Sequence, residues 1–444
     1  MPSVTGRSEG DLDPGPTHDG SSLPGGAEAK ADDLIGIRLG PRFTRLWTAA
    51  TVSNVGDGLL VAALPLLAVR STSSPLLIAG LAACRGIPWL VFGLTAGAIV
   101  DRVDRRRLMA LVDYGRGAVL VAMGFAVMLS DVPIWVLYVV ALGLGAGEVL
   151  FDSASGAFVP MVVPDGLLER ANSRLYLSLT IANELSGPAV GAWLFTAAAA
   201  APFFVDAGSF VFAASMVLTI RGSFRPDVDE DDDGSMRDRI LEGVRYVRNH
   251  RVLRSLIVVS SGYNFLALGL EAMAVLYITQ TLNGSEAQYG IMLTLAALGG
   301  VGGGVVAERV FARFRHGTVI IAGLLASAAV AMFAAAVETL WAWAIFDVTL
   351  FFGSALASIG AQTLRQRAMP AQLAGRVMSV YLLCIFGAGP LGATAFGVLA
   401  RITSLPTVVV GFGVGCAVLA ATAGRALVRA LAELAESAAP DAAA

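Results

Sequence analysis

Carboxylates stand in this chain where a bilayer would least tolerate them. Asp57, Glu148, Asp152, Glu184, Glu271 and Asp347 interrupt long apolar stretches of the 444 residues, together with Arg85, while Asp113, Arg116 and Asp206 lie nearer the ends of such stretches. A charged side chain at the bilayer centre costs about 2.5–3.5 kcal/mol on insertion scales, so each needs a partner or a function. Glu148 and Asp152 are four residues apart and share one helix face. Two carboxylates that close in a low dielectric cannot readily both ionise, which is the behaviour of a proton carrier. The competing reading pairs one of them with Arg85 or has it cap a backbone group. Asp57 is open to the same two readings, proton carrier or partner of Arg85. Proton coupling is therefore expected of Asp57, Glu148, Asp152 and Arg85. Glu271 follows Asn264 by two turns on one face and suits a polar or cationic group, or else a hydrogen bond between helices. Asp206, one turn into its segment, reads as a cap or a snorkelling side chain.

Membrane helices must position these groups. Hydrophobic residues make up 56% of the chain and charged ones only 15%, with a mean hydropathy of +0.72. A soluble protein so composed would lack the polar surface to cover its core. About twenty apolar residues span a bilayer as a helix, and such runs follow one another from Phe43 to Arg429, with room for about twelve. The second is read as Leu76 to Val100 and the third as Leu108 to Leu129. Residues 1–40 read as a disordered N-terminal tail, 41–220 and 254–430 as two helical bundles, 221–253 as a linker and 431–444 as a C-terminal tail. Within the linker, Ile240, Val244 and Val247 recur at helical spacing among arginines, as in an amphipathic helix on the membrane surface. The acidic run Asp227 to Asp233 reads as solvated chain rather than a metal site.

Other chemistry finds no footing. Cys84, Cys384 and Cys416 all fall in apolar runs and read as small buried hydrophobes. The three histidines are scattered through tail and loops, and no catalytic or nucleotide-binding motif is present. The expectation is no enzyme activity, no metal, no cofactor and no nucleic-acid partner.

Two loops carry the organisation further. Gly97 to Arg107 reads GAIVDRVDRRR, and Gly304 to Arg315 reads GVVAERVFARFR. Gly304 falls on Gly97, Glu308 on Asp101 and Arg309 on Arg102, so the chain is built twice over. Arginines crowd alternate loops, and only Arg70 and Arg401 occupy the opposite ones. By the positive-inside rule both termini face the cytoplasm of a multi-pass plasma-membrane protein.

At Gly97, Asp101, Arg102, Arg105 and Arg106 the sequence resembles the major facilitator superfamily, whose signature loop reads GxxxDRxGRR. It departs where Asp104 replaces the usual glycine. SGPAVGA, with Gly187, Pro188 and Gly191, is similar to the motif of drug–proton antiporters, and Gly389, Pro390 and Gly392 echo it. RLWTAATVSNVGDGLLVAALPLLAV and GEVLFDSASGAFVP look like the branch that contains enterobactin exporters and macrolide efflux proteins. One departure is that segment four lacks the membrane arginine common in antiporters, a role left to Arg85 or Arg116.

The resemblance implies an all-α membrane protein of twelve transmembrane helices in two pseudo-symmetric six-helix bundles. Segments one, four, seven and ten would line a central cavity, with Glu271, Asn264, Asp347 and Phe151 binding substrate. Asp113 and Arg116, one and two turns into the third segment beside the signature loop, read as latch partners of Asp101 or Arg102, joining Gly97, Arg105, Arg106, Glu308 and Arg309 in the gating loop. The implied function is proton-driven efflux of an amphiphilic small molecule by alternating access, from a monomer whose partners are substrate, protons and lipid. A proton-linked importer of a small metabolite is the alternative, and a non-transporting membrane sensor a remoter one.

Overall fold

The computed structural model describes residues 39–93, 95–100, 102–163, 167–222, 224, 236–369 and 374–438. Among them there is no strand. We number the membrane helices α1 (Gly40–Ser71), α2 (Pro75–Phe92), α3 (Arg105–Leu129), α4 (Ile134–Val162), α5 (168–197), α6 (Ala201–Leu218), α7 (Arg251–Thr281), α8 (Glu286–Arg313), α9 (His316–Val337), α10 (Leu340–Ala368), α11 (Ala374–Ile402) and α12 (405–438). Eleven are long and apolar enough to cross a membrane as single helices. The twelfth, α5, is divided by a π-helical stretch, Thr180–Ser186, between Leu168–Leu179 and Gly187–Ala197.

Local sequence explains the boundaries. Proline in the first turn opens α1, α2, α6 and α12, where the missing N–H has no partner to lose. Ser285 and Gln288 cap α8 reciprocally, after a turn in which Asn283 takes a positive φ of 53°. α2 stops at Phe92 rather than Val100, and a separate turn, Ala96–Val100, follows.

α1 packs against α5 and α6, and α3 against α4 and α6. In the second half α7 packs against α11 and α12, and α10 against α8 and α9. The halves meet along two seams, α2 with α11 and α5 with α8. Twelve crossings bring both ends of the described chain to one face, here the terminal face, where Arg251 Nη1 meets Glu433 Oε2 at 2.7 Å. The opposite one is the far face.

The linker helix, Met236–Asn249, docks on protein more than the surface reading expects. Val247 is buried in a cluster with Leu253, Ile257 and Val377, and the Tyr246 hydroxyl donates to the Ala368 carbonyl at 3.4 Å. The N-terminal tail, Asp101 and the acidic run lie outside the described residues.

Candidate functional site

Arg116 is the centre of the first half. It lies eleven residues into α3, about 16 Å deep at 1.5 Å per residue, so it cannot be the loop-side latch that its place in the sequence suggested. Its Nη2 donates to Asp57 Oδ1 of α1 at 2.6 Å, and its Nη1 lies 3.9 Å from Asp113 Oδ1 one turn earlier. The Phe210 ring of α6 covers the guanidinium at 4.0 Å. Gly147 of α4 admits its methylene stem, because a Cβ there would meet Arg116 Cδ at 2.8 Å. Glu148 and Asp206 complete its charged surroundings, and Asp152 faces Glu148, Arg116 and Asp57.

One guanidinium thus confronts carboxylates from α1, α3, α4 and α6. Asp113 and Asp206 are fully buried, both oxygens of Asp113 lack a hydrogen bond, and Asp206 accepts only from Ser209 Oγ, at 3.0 Å. Carboxylates thus outnumber the cations around Arg116, and only Asp57 and Asp113 lie within ion-pairing distance of it. Asp57, Glu148 and Asp152 share these surroundings, and the cation that Asp57 pairs with closely is Arg116, with Arg85 acting on it from farther off. Asp206, expected to cap or snorkel, is a full member. Its register against Gly56 of α1, where a Cβ would strike its carboxyl group, could not be read from its own segment.

Two cavities open from the middle of the molecule. The larger, about 470 Å³, lies between the halves and is lined by Arg85, Glu148, Glu184, Glu271, Trp89 and Phe386 among others. Trp89 of α2 stacks on Phe386 of α11 with ring centroids 4.7 Å apart. Glu184 is presented by the π-helical stretch of α5. The second cavity, about 440 Å³, penetrates the second half, where Asn264, Glu271 and Asp347 meet as expected. Asn264 also donates from Nδ2 to the Ile385 carbonyl of α11 at 2.7 Å. Phe151 lines neither cavity. It packs on the core around Phe43, Leu46 and Phe158 at the terminal end of the first half, so the expected substrate contact is not made.

At the far face a clamp joins the two halves. Arg70, at the end of α1, holds Glu286 at the start of α8 through two parallel hydrogen bonds of 2.9 Å, and its guanidinium lies 4.4 Å from the Phe195 ring of α5. Below this clamp both glycine–proline motifs touch the opposite half. Pro188 packs under Gly290 of α8, and Pro390 packs on Gly86 of α2. Within its own half, Gly191 rides directly on Leu59 of α1, and Gly392 on Phe265 of α7. The sequence marked these motifs by resemblance; the structure places them at both the inner helix contacts and the outer seams.

The transmembrane secretion effector family matches residues 39–442. The chain belongs to this family of major facilitator transporters. Its sequence is 26% identical over 383 residues to the multidrug efflux pump Tap of Mycolicibacterium fortuitum, covering 84% of this chain and 92% of that protein. It is 24% identical over 269 residues to macrolide efflux protein A of Streptococcus pyogenes, a match spanning 60% of this chain and 65% of that protein. The fold is that of a solved nucleoside transporter, NupG, at a TM-score of 0.68 and 12% identity over 87% of this chain and 99% of that one. It also matches a bacterial homologue of the iron transporter ferroportin in an inward-facing state, at 0.65 and 16% identity over 86% and 98%.

In the transporter the hydrogen bonds described for Asp104, Arg105 and Arg106 of the signature loop are made to the first half. Asp104, the departure from the usual glycine, accepts the Arg107 backbone N–H at 3.0 Å and so caps α3. Arg105 donates to the Ala157 carbonyl inside the last part of α4 at 3.3 Å, and Arg106 to the Ile220 carbonyl just beyond α6 at 2.7 Å, a cation at that helix's C-terminus. Arg102, Glu308 and Arg309 are exposed at the terminal face and form no ion pair among the described residues. Gly97 falls in the turn Ala96–Val100.

The clamp at the far face gives a direct test. Glu286→Gln should raise labelling of a cysteine introduced at Thr196 by an impermeant maleimide, and the exchange Arg70→Glu with Glu286→Arg should restore protection. A half-exposed bidentate pair contributes about 1 kcal/mol, so the open population should grow about 5-fold. Equal labelling in all three proteins would remove the pair from gating.

Proposed function

We propose that this transporter exports an amphiphilic small molecule in exchange for protons. The observation that carries the reading is the Arg116 cluster, one guanidinium among five carboxylates, with Glu148 reaching the wall of the cavity between the halves. The terminal face, where the loop arginines gather, is the cytoplasmic one. The far clamp of Arg70 and Glu286 suits an inward-facing state, in the plasma membrane and as a monomer.

The cluster supplies a coupling step. When Asp57 takes a proton from outside, its hold on Arg116 weakens, and the guanidinium turns to Glu148 or Asp152, which already stand among its neighbours. That changes the charge on the cavity wall and the fit between α1, α3 and α4. Loss of the proton to the cytoplasm restores the Asp57 pair and readies the cavity for substrate. Coupling requires a differential affinity of a few kcal/mol between the two states. The efflux names of its relatives support the direction, and the aromatic pair Trp89 and Phe386 beside Arg85, Glu148, Glu184 and Glu271 suits an amphiphile.

The test is accumulation in an efflux-deficient bacterium across antibiotics, dyes and siderophores, with and without an uncoupler. Wild type is expected to lower accumulation of at least one compound. Glu148→Gln with Asp152→Asn should return it to the uncoupled level with normal membrane insertion. Greater uptake by wild type would mean import. Protection that survives both the double substitution and the uncoupler would refute coupling through this cluster.

A further inference from the structure

The two halves treat the same interior space differently. In the first half the region between helices is filled by Arg116, Phe210 and the carboxylates around them. In the second half it is a cavity of about 440 Å³ that adjoins the one between the halves, the two sharing Glu271, Tyr289 and Phe351 in their walls.

Inside the side cavity stands Asp347, 8% exposed, lining the space and in no ion pair among the described residues. Its charged neighbour is a second acid, Glu271, and the Trp343 indole lies beside it. Trp343 is itself 1% exposed, and its Nε1–H meets no acceptor at bonding geometry. The nearest cation to Glu271 is Arg85, reaching from the opposite half. Arg365 lines the same cavity but sits five turns along α10, about 27 Å at 1.5 Å per residue, held 4.0 Å over the Tyr381 ring. Two acids, one of them nine-tenths buried, therefore face a space walled by Tyr263, Tyr289, Trp343 and Phe351. Glu271 has Arg85 near it, whereas Asp347 has no cation within ion-pairing distance among the described residues. Aromatic faces around an unpaired carboxylate are the chemistry that recognises an organic ammonium group.

We propose that this side cavity is a receptor for the positively charged end of an elongated substrate, with Asp347 as its counter-ion. The apolar remainder lies in the cavity between the halves, against Trp89 and Phe386. The inference rests on the efflux reading and narrows it, from amphiphiles in general to organic cations long enough to occupy both spaces. Division of labour follows: protons are handled in the first half, and substrate charge is handled in the second.

The probe is a pyrenylhexyl-trimethylammonium ion beside its uncharged isostere, in which a tert-butyl group replaces the trimethylammonium. Binding to the purified full-length protein is read by pyrene fluorescence. Wild type should prefer the cation, and Asp347→Asn should weaken cation binding about 30-fold or more while leaving the isostere unchanged. Ala357→Leu, which fills the side cavity and not the one between the halves, should weaken the cation by a similar factor. If Asp347→Asn fails to fold, Ala357→Leu decides in its place. Equal affinity of wild type for the two probes overturns the proposal, as does undiminished cation binding in the variants. Uncoupler-sensitive export of the uncharged isostere, measured in the same proteins, tests the efflux reading separately. Variants that keep that export and still bind the cation normally refute the receptor alone.

Discussion

Asp57→Asn is expected to abolish gradient-driven transport and to lower the thermal stability of the purified protein, and adding Arg116→Gln is expected to repair only the stability, and that in part. Arg116 is 6% exposed, with its Nη2 2.6 Å from Asp57 Oδ1 and its stem against Gly147. Removing one partner of a buried ion pair costs about 3–5 kcal/mol, because the other charge is left without compensation. Asp113, 3.9 Å from the same guanidinium, and Glu148 and Asp152 among its neighbours offset a part. Removing the cation as well eliminates the stranded charge, and buried pairs replaced on both sides are often neutral in stability. Asp113, Glu148, Asp152 and Asp206 lose the same cation, however, so the repair should be partial. A merely structural pair would regain function together with its fold. A coupling pair would not, since no carboxylate is left on α1 to pass the proton and no guanidinium to respond to it. The decisive measurement is uncoupler-sensitive export by the double variant, with melting temperature as the control. Export at the wild-type rate would reduce the cluster to a packing device.

The contrast between what the sequence disclosed and what it withheld follows from the range of the interactions. Helices, their number and their pairing into halves were legible because hydropathy and the repeated arginine loop are local signals. The cavity acids Glu271 and Asp347 were legible because a charge in an apolar run announces itself. Their partners were not. Arg116 meets Asp57 across 59 positions of sequence, and the single register of α3 against α1 decides between that contact and one with the loop. Counting Arg116 from an estimated helix start at Leu108 set it too near the membrane surface; α3 begins at Arg105 and turns its side chain inward. Arg70 and Glu286, 216 positions apart, read as ordinary loop charges because nothing in either loop names the other. Phe151 failed for the opposite reason. Segment four does reach the cavity, through Glu148 one turn away, but Phe151 lies on the face that packs on Phe43 and Leu46.

Gly290→Leu should leave a folded, monodisperse protein that cannot transport. Gly290 belongs to α8 and lies against α5 of the other half, where a Cβ would stand 2.5 Å from Ala192 Cβ, 2.9 Å from the Pro188 carbonyl oxygen and 3.2 Å from Ala189 Cα. Two of those three atoms are backbone, so a side chain can be accommodated only by separating the helices. Because the contact joins the halves rather than building one of them, separation opens the far seam and leaves the packing of α7, α10 and α11 intact. The protein should then stay outward-open, with a cysteine at Thr196 labelled as fully as in the Glu286→Gln variant or more. Gly191→Val makes the complementary case. There a Cβ meets Leu59 Cα at 2.7 Å on α1 of the same half, and overpacking a close contact costs about 1–3 kcal/mol or more, so the expected result is loss of folded protein. The motif around Gly187, Pro188 and Gly191 would thereby be separated into two duties, with Gly191 holding α5 on α1 and Pro188 sealing α5 to α8. If Gly290→Leu transports normally, the seam does not close during the cycle. If it fails to fold, the halves do not move as independent bodies, and alternating access by rocking them loses its structural basis.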